Sequence, residues 1–312
     1  MLSHAPLPEI APVRATAILN LGSGKQQQHA LADTLVRLFD ERGGDLRIGF
    51  ARRGQDIYSF ARDAVAEGRP IVLAGGGDGT ISAVASVLAN TETALGVLPL
   101  GTFNYFARRL GVPLDLKGAA RLCFDGEVRQ VALGEVNGRV FLNNASVGLY
   151  PSMLRLREEA YRRFWRSQLL AYVASVMTLM RARRYVRVWM ETDHGAEEFR
   201  TPLLFAVNNS FQLEEFELEG SECVKDGRIA MYVLPPVGRL GLLRLGWKMV
   251  RRRLSPHEDF RLVCSKEFKV ETRRSSVAVA YDGEFERMRT PLKFDVREDA
   301  LRVFVPRGTE LA

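Results

Sequence analysis

Apolar positions follow two different rhythms along the chain. Up to about residue 126, short apolar runs alternate with segments of helical period. Ala15 to Asn20, Leu46 to Ala51, Ile71 to Ala74 and Leu95 to Leu98 read as four short, buried strands. Between them apolar residues recur three and four apart: Ala30, Leu31, Leu35, Leu38 and Phe39, then Ile57, Phe60, Ala61, Ala64 and Val65, then Ile81, Val84, Val87 and Leu88. Gly43-Gly44 stops the first predicted helix, and Gly68 with Pro70 stops the second. A short helix holding Phe103, Phe106, Ala107 and Leu110 follows the fourth strand. Strands alternating with helices predict βαβ units and a parallel sheet covered on both faces.

The second rhythm begins near residue 127. Val131 to Val136 and Arg139 to Asn144 flank Asn137-Gly138, which predicts a hairpin with a type I′ turn. Further strands are predicted at Tyr185 to Glu191, Leu203 to Asn208, Ile229 to Leu234, Phe260 to Val263, Phe268 to Glu271, Val277 to Tyr281, Leu292 to Val296 and Leu301 to Val305. Many strands and few helices predict an antiparallel second domain, a sandwich or a barrel. Two helices interrupt it, over Pro151 to Arg183 and Val237 to Arg253. There is no internal repeat.

Composition changes this picture little: 312 residues, 46% hydrophobic and 26% charged, is ordinary for a globular chain of two domains. Charge adds more. A net +7 points to an anionic partner, whether a phosphorylated ligand, an anionic membrane surface or nucleic acid. Cys123, Cys223 and Cys264 lie far apart, which argues against a disulfide framework or a cysteine zinc site. The four histidines form no metal-ligand pair. The N-terminus lacks the pattern of a signal peptide, and the longest apolar stretch, Leu169 to Met180, is shorter than the ~20 residues of a bilayer span. These features predict a cytoplasmic protein.

The candidate chemistry centres on GGGDGT, Gly75 to Thr80, between a strand and a helix start. Consecutive glycines permit φ > 0 and close approach to another molecule. A helix start at that point aims N–H groups at a phosphate. Asp78 would repel a phosphate unless a cation lies between, so the stretch suggests a nucleotide with Mg²⁺. The other glycine turn, Gly22 to Lys25, is not a Walker A loop, because Leu19 and Gln26 stand at positions that motif reserves for Gly and Ser/Thr. Nor is GGGDGT a dinucleotide fingerprint, since Thr80 holds the place of the third glycine. Taken alone, Thr102 reads as the N-cap of the short helix, and the turns at Asp226-Gly227 and Asp282-Gly283 read as hairpin turns. In open α/β sheets ligands bind beyond the carboxyl ends of the strands, so the turns holding Asn20, Asp78 and Thr102 are predicted to share a crevice.

GGGDGT followed by LPLGTFNYFARRLGVP (Leu98 to Pro113) resembles the catalytic domain of the diacylglycerol kinase family, which includes bacterial lipid kinases and sphingosine and ceramide kinases and is distantly related to the NAD kinases. NLGSGK (Asn20 to Lys25), NNASVG (Asn143 to Gly148), KDGR (Lys225 to Arg228) and YDGE (Tyr281 to Glu284) resemble further family segments, in the family's order. The resemblance implies an α/β nucleotide-binding domain over 1–129, followed by an antiparallel β-sandwich over 130–296, with 297–312 a candidate to complete the first domain. It implies an active site in the cleft between them. It also implies that Asn20, Gly76, Gly77, Asp78, Gly79, Thr80, Ile81, Ser82, Thr102 and Asn104 bind ATP, with Asp78 acting on the phosphates through Mg²⁺. Glu284 would be the general base, and Asp226 would ligate a structural Mg²⁺ with the carbonyls of Cys223 and Arg228. Two positions depart from the pattern. Tyr105 stands where the family carries Asp, and Phe50-Ala51 stand where some members have a nucleotide-contacting Thr.

The arginines at 155, 157, 162, 163, 166, 181, 183 and 184 flank an apolar helix, and Arg251 to Arg253 follow a second one. Such helices either pack on the sandwich with a solvated face or lie on an anionic membrane. The expectation is an ATP- and Mg²⁺-dependent kinase of a membrane lipid, touching the membrane peripherally and binding no nucleic acid. A kinase of a soluble acceptor such as NAD, and a non-catalytic relative that only binds nucleotide or lipid, are the alternatives. A homodimer is left open.

Overall fold

A computed structural model describes residues 13–20, 25–148, 185–238 and 259–309, with the single positions 241, 244 and 248. They form two compact units. One runs to Gln130 and takes in Leu301–Thr309, and the other is Val131–Ala300. The predicted helix at 151–183, the Gly22–Gly24 turn and most of 237–253 lie outside the described residues.

The first unit contains β1 (Arg14–Asn20), α1 (Lys25–Glu41), β2 (Asp45–Ala51), α2 (Gly54–Ala66), β3 (Ile71–Gly76), α3 (Asp78–Leu88), β4 (Ala94–Pro99), α4 (Tyr105–Arg109) and α5 (Leu116–Asp125). Its strands are parallel in the order β2-β1-β3-β4. Every residue of β3 and β4 is buried, as is Ala15 to Leu19 of β1, because helices cover both faces. α2 packs on α3, and α1 packs on α5 through the edge-to-face rings of Phe39 and Phe124, 4.8 Å apart. The pattern misses α5, whose glycine and short apolar run hide a helix capped by the Asp115 carboxylate on the Gly118 N–H.

The second unit opens with β5 (Glu127–Val136), which starts in the first, then β6 (Arg139–Phe141), β7 (Asn144–Gly148), β8 (Val186–Thr192), β9 (Gly195–Thr201) and β10 (Leu203–Val207). Next come α6 (Ser210–Glu215), α7 (Ser221–Lys225), β11 (Ile229–Val233), β12 (Arg261–Ser265), β13 (Glu267–Thr272), β14 (Ser276–Tyr281), β15 (Glu284–Arg289) and β16 (Leu292–Val305). Asn137 and Gly138 have φ of 47° and 82°, the I′ turn that their sequence demands. A six-stranded sheet, β12-β11-β10-β7-β14-β15, packs against a second layer in which β13 pairs with β16 and β8, and β8 with β9. Val147, Leu204, Met231 and Val279 meet Val188, Phe268, Val270 and Phe294 in the core. The sandwich, not the barrel, is the outcome.

Three further expectations change. Leu292–Val296 and Leu301–Val305 are one long strand, β16, whose middle carries Asp299 at φ 51°. Its last residues return to the first unit, where Val303 pairs with Leu95 in parallel. β9 and β15 are strands despite polar sequences, GAEEFRT and EFERMR, because each lies at a sheet edge. Finally, Cys223 and Cys264 form a disulfide with Cα atoms 6.0 Å apart. The pairing of β11 with β12 brings Cys264 opposite Ala230, beside α7, a proximity that 41 residues of separation conceal. Cys123 stays a buried thiol, pushed up to about 12 by that burial.

Candidate active site

The GGGDGT turn is built on close approach, not on reversed handedness. Gly75, Gly76, Gly77 and Gly79 are absent from the positive-φ residues, and Gly77 has φ −83°. The expectation that these glycines supply φ > 0 is therefore corrected. What Gly75 and Gly76 supply is the missing Cβ. A Cβ on Gly75 would come within 2.6 Å of Leu19 Cδ2, and one on Gly76 would strike the Thr80 side chain. Across the turn, a Cβ on Gly101 would lie 2.6 Å from Gly77 Cα. The GGGDGT and PLGTFN loops thus touch backbone to backbone, and the Leu100 N–H donates to Gly76 O at 2.9 Å.

Asp78 joins the same two loops. Its Oδ1 accepts the Phe106 N–H at 3.3 Å. Burial pushes its carboxyl above the ordinary 3.8, and the backbone N–H groups of Phe106, Asn104 and Tyr105 pull against that rise. Thr80 N–H and Ile81 N–H donate to Gly77 O at 2.9 and 3.1 Å, closing the first turn of α3. Helix geometry then directs the Gly79 N–H outward, and Gly79 is exposed. The Thr80 side chain is buried and its hydroxyl accepts from Asn20 Nδ2 at 2.9 Å. Ile81 and Ser82 are buried on α3.

Asn20, Gly76 to Ser82, Thr102 and Asn104 therefore gather in the first unit, with different roles open to each. Asn104, at φ 53°, is the N-cap residue of α4, and its side chain bonds both the N–H and the carbonyl of Gly101 at 2.9 and 3.0 Å. This displaces Thr102 from the cap it is expected to form. Thr102 is exposed and available to a ligand. Tyr105 is buried, its ring stacked on that of Phe103.

In the second unit YDGE and NNASVG are brought together. Tyr281 pairs with Ala145 on β7 and with Glu284 on β15. Asp282 and Gly283 turn at φ 43° and 91°. The Asp282 carboxylate accepts three backbone N–H groups, from Leu142, Asn143 and Asn144, at 2.6, 3.0 and 3.1 Å. Glu284 is exposed at the head of β15. Burial pushes the Tyr281 hydroxyl up to about 12, and the charges of Glu284 and Glu286 add to the rise.

Sequence reasoning missed the polar cluster behind this turn. Asn209, fully buried, donates to Asn143 Oδ1 at 2.7 Å, and Asn144 Nδ2 donates to Gln212 Oε1 at 3.2 Å. The signal was present as Asn208-Asn209-Ser210 at the end of an apolar strand, a helix start by its own chemistry. At the KDGR turn Asp226 is ion-paired to Arg228 at 2.8 Å, and Cys223 O accepts the Arg228 N–H at 3.0 Å. Among the described residues no group of three or more His, Cys, Asp and Glu could hold a metal by itself.

Comparison with known proteins finds sequence similarity over the first unit and a shared fold. Residues 14–136 match the family model of the diacylglycerol kinase catalytic domain. A Pseudomonas aeruginosa protein named "Probable lipid kinase YegS-like" is 40% identical over 127 residues, 40% of this chain and 42% of its own length. A Staphylococcus aureus "Diacylglycerol kinase" is 35% identical over 138 residues, 43% of this chain and 44% of its own length. These curated relatives are thus matched over less than half of their length. A crystal structure of a candidate diacylglycerol kinase from Bacillus anthracis superposes with a TM-score of 0.72 over 97% of this chain and 100% of its own, at 22% identity, and so shares the fold. Over residues 14–136, less than half of its length, the chain thus matches the diacylglycerol kinase catalytic domain.

Proposed function

We propose that the protein transfers the γ-phosphoryl group of ATP to a hydroxyl of a membrane lipid, diacylglycerol or a relative of it. The observation that carries this reading is the Gly77–Gly101 contact, where two glycine loops meet at the start of α3 in a domain that matches this family. Loops that lack side chains at their contact leave backbone N–H groups as the natural partners of phosphate oxygens. The names borne by the Pseudomonas and Staphylococcus relatives support a lipid as the acceptor.

In the reaction the acceptor oxygen forms a bond to the γ-phosphorus as the bond to the β,γ-bridging oxygen breaks, and ADP leaves. The hydroxyl proton goes to the Glu284 carboxylate, a contribution typically worth ~10²–10⁴-fold. Gly79 N–H and Thr102 orient the phosphates, Asn104 fixes the loop through Gly101, and Asn20 holds Thr80 against the turn. Mg²⁺ commonly binds through one or two carboxylates and the substrate phosphates, so a single partly buried carboxylate, Asp78, fits it. When bound there, Mg²⁺ offsets phosphate charge. The KDGR turn fits a second Mg²⁺ poorly, since the Arg228 guanidinium already supplies the counter-charge of Asp226, and no step is routed through it.

Peripheral contact with an anionic membrane belongs to the same proposal and rests on the arginine-flanked apolar segments of the sequence. Among the described residues no helix is long and apolar enough to cross a membrane. Incubation with γ-labelled ATP and a total lipid extract tests the reading: label is expected in the lipid fraction. Label in a soluble product instead would identify a soluble acceptor, and nucleotide binding without transfer to any acceptor would contradict the kinase assignment.

A further inference from the structure

The PLGTFN loop presents an aromatic face that phosphate chemistry does not use. Phe103 is 58% exposed, and no other large apolar side chain among the described residues is as open. Its ring lies parallel to that of Tyr105, at 2° and 5.3 Å between centroids, while Tyr105 is 9% exposed. One face of Phe103 is thus backed by a buried ring and the other is turned outward.

An isolated exposed phenylalanine is ordinary on a protein surface. This one is held in place. The Asn104 side chain clasps Gly101 on both its N–H and its carbonyl, and Arg108 Nε donates to Phe103 O at 3.0 Å. Asp78 ties the start of α4 to the GGGDGT turn. A rigid apolar face loses little conformational entropy when a ligand covers it.

Position and composition point to the occupant. Phe103 stands two residues from Gly101, whose backbone meets Gly77, so the ring lies beside the turn to which the kinase reading assigns the phosphates. Tyr105 supplies an aromatic support where the family pattern has a carboxylate, and so removes a charge that would repel apolar groups. We propose that the outward face of Phe103, backed by Tyr105, is a binding subsite for the apolar body of the acceptor alcohol. The inference rests on the kinase reading and adds a specificity element to it.

The test is a series of diacylglycerols of increasing acyl length, assayed with wild type, Phe103→Ala, Phe103→Leu and Tyr105→Asp. Phe103→Ala is expected to raise the KM for the longer-chain acceptors by about fivefold, the loss of roughly one aromatic–aliphatic contact. It should flatten the dependence on chain length and leave the KM for ATP in place. Phe103→Leu, still apolar, should recover most of the effect, and Tyr105→Asp should resemble Phe103→Ala. A rise in the KM for ATP instead would assign the ring to the nucleobase and overturn the proposal, as would unchanged acceptor KM at every length. Calorimetric binding of dihexanoylglycerol is read independently of turnover. Wild type that binds this lipid more tightly than Phe103→Ala, yet transfers no phosphate to it, would defeat the kinase reading and keep the subsite. Equal binding by both proteins, or binding by neither, would defeat the subsite.

Discussion

Two aspartate–glycine turns, GGGDGT in the first unit and YDGE in the second, end apolar strands, yet glycine serves a different purpose in each. At Gly75 and Gly76 the backbone is one that other residues adopt, and the glycines matter because Leu19 and Thr80 leave no room for a Cβ, as Gly77 leaves none at Gly101. At Gly283 there is open space, and the residue matters because φ is 91°. The aspartates, by contrast, act alike. Asp78 accepts N–H from the start of α4, and Asp282 accepts three N–H groups from residues 142–144. In each unit a carboxylate fastens one motif to another that lies far from it in sequence. The comparison teaches that an Asp in a glycine turn can be a clamp on a neighbouring loop as well as a group that faces substrate.

Breaking the second clamp should have the largest effect on stability. Asp282→Ala leaves three N–H groups without their acceptor and is expected to cost about 3 kcal/mol, measured by urea unfolding. Gly101→Ala comes next. Its new Cβ meets backbone at Gly77 and cannot be relieved by a side-chain rotation, so about 1–3 kcal/mol of strain is expected, together with a weaker affinity for ATP by equilibrium binding. A Gly283→Ala control meets no atom and carries only the cost of its backbone angle, which separates the two uses of glycine.

The burial of Asp78, against which its clamp hydrogen bonds work, is read through pH. The folded pKa of Asp78 is raised, so the folded state holds this proton more tightly than the unfolded state does. Its contribution to stability is complete below the ordinary 3.8 and is lost as pH rises through the raised folded value. Asp78→Asn should remove that part of the stability–pH curve, as measured by thermal unfolding across the acidic range. The smallest stability effect belongs to Thr102→Ala. With Asn104 as the cap, it should change stability by less than about 0.5 kcal/mol, while a rise in the KM for ATP would mark Thr102 as a ligand contact.

Periodicity alone exposes most of the first unit, because buried parallel strands are unbroken apolar runs and the helices between them keep one apolar face. It also finds most strands of the second unit, but not β7, a short central strand whose Ala145 and Val147 are buried yet follow Asn143-Asn144 in a polar-looking stretch. It does not find β9 or β15, whose outer positions are charged because an edge strand must not invite another. The site residues are legible as glycine and aspartate patterns, but their duties are not. Nothing local distinguishes Thr102 from Asn104 as the cap, because the left-handed backbone of Asn104 is set by its bonds to Gly101. Nor does spacing bring Cys223 to Cys264, since that contact depends on strand pairing.

The proposed reaction depends most on Glu284 of β15 as the general base. Glu284→Gln tests it most directly, with turnover on the labelled lipid and ATP affinity measured on the same protein. The account predicts a fall in turnover of at least ~10²-fold with ATP affinity unchanged. Near-wild-type turnover by the variant would contradict it.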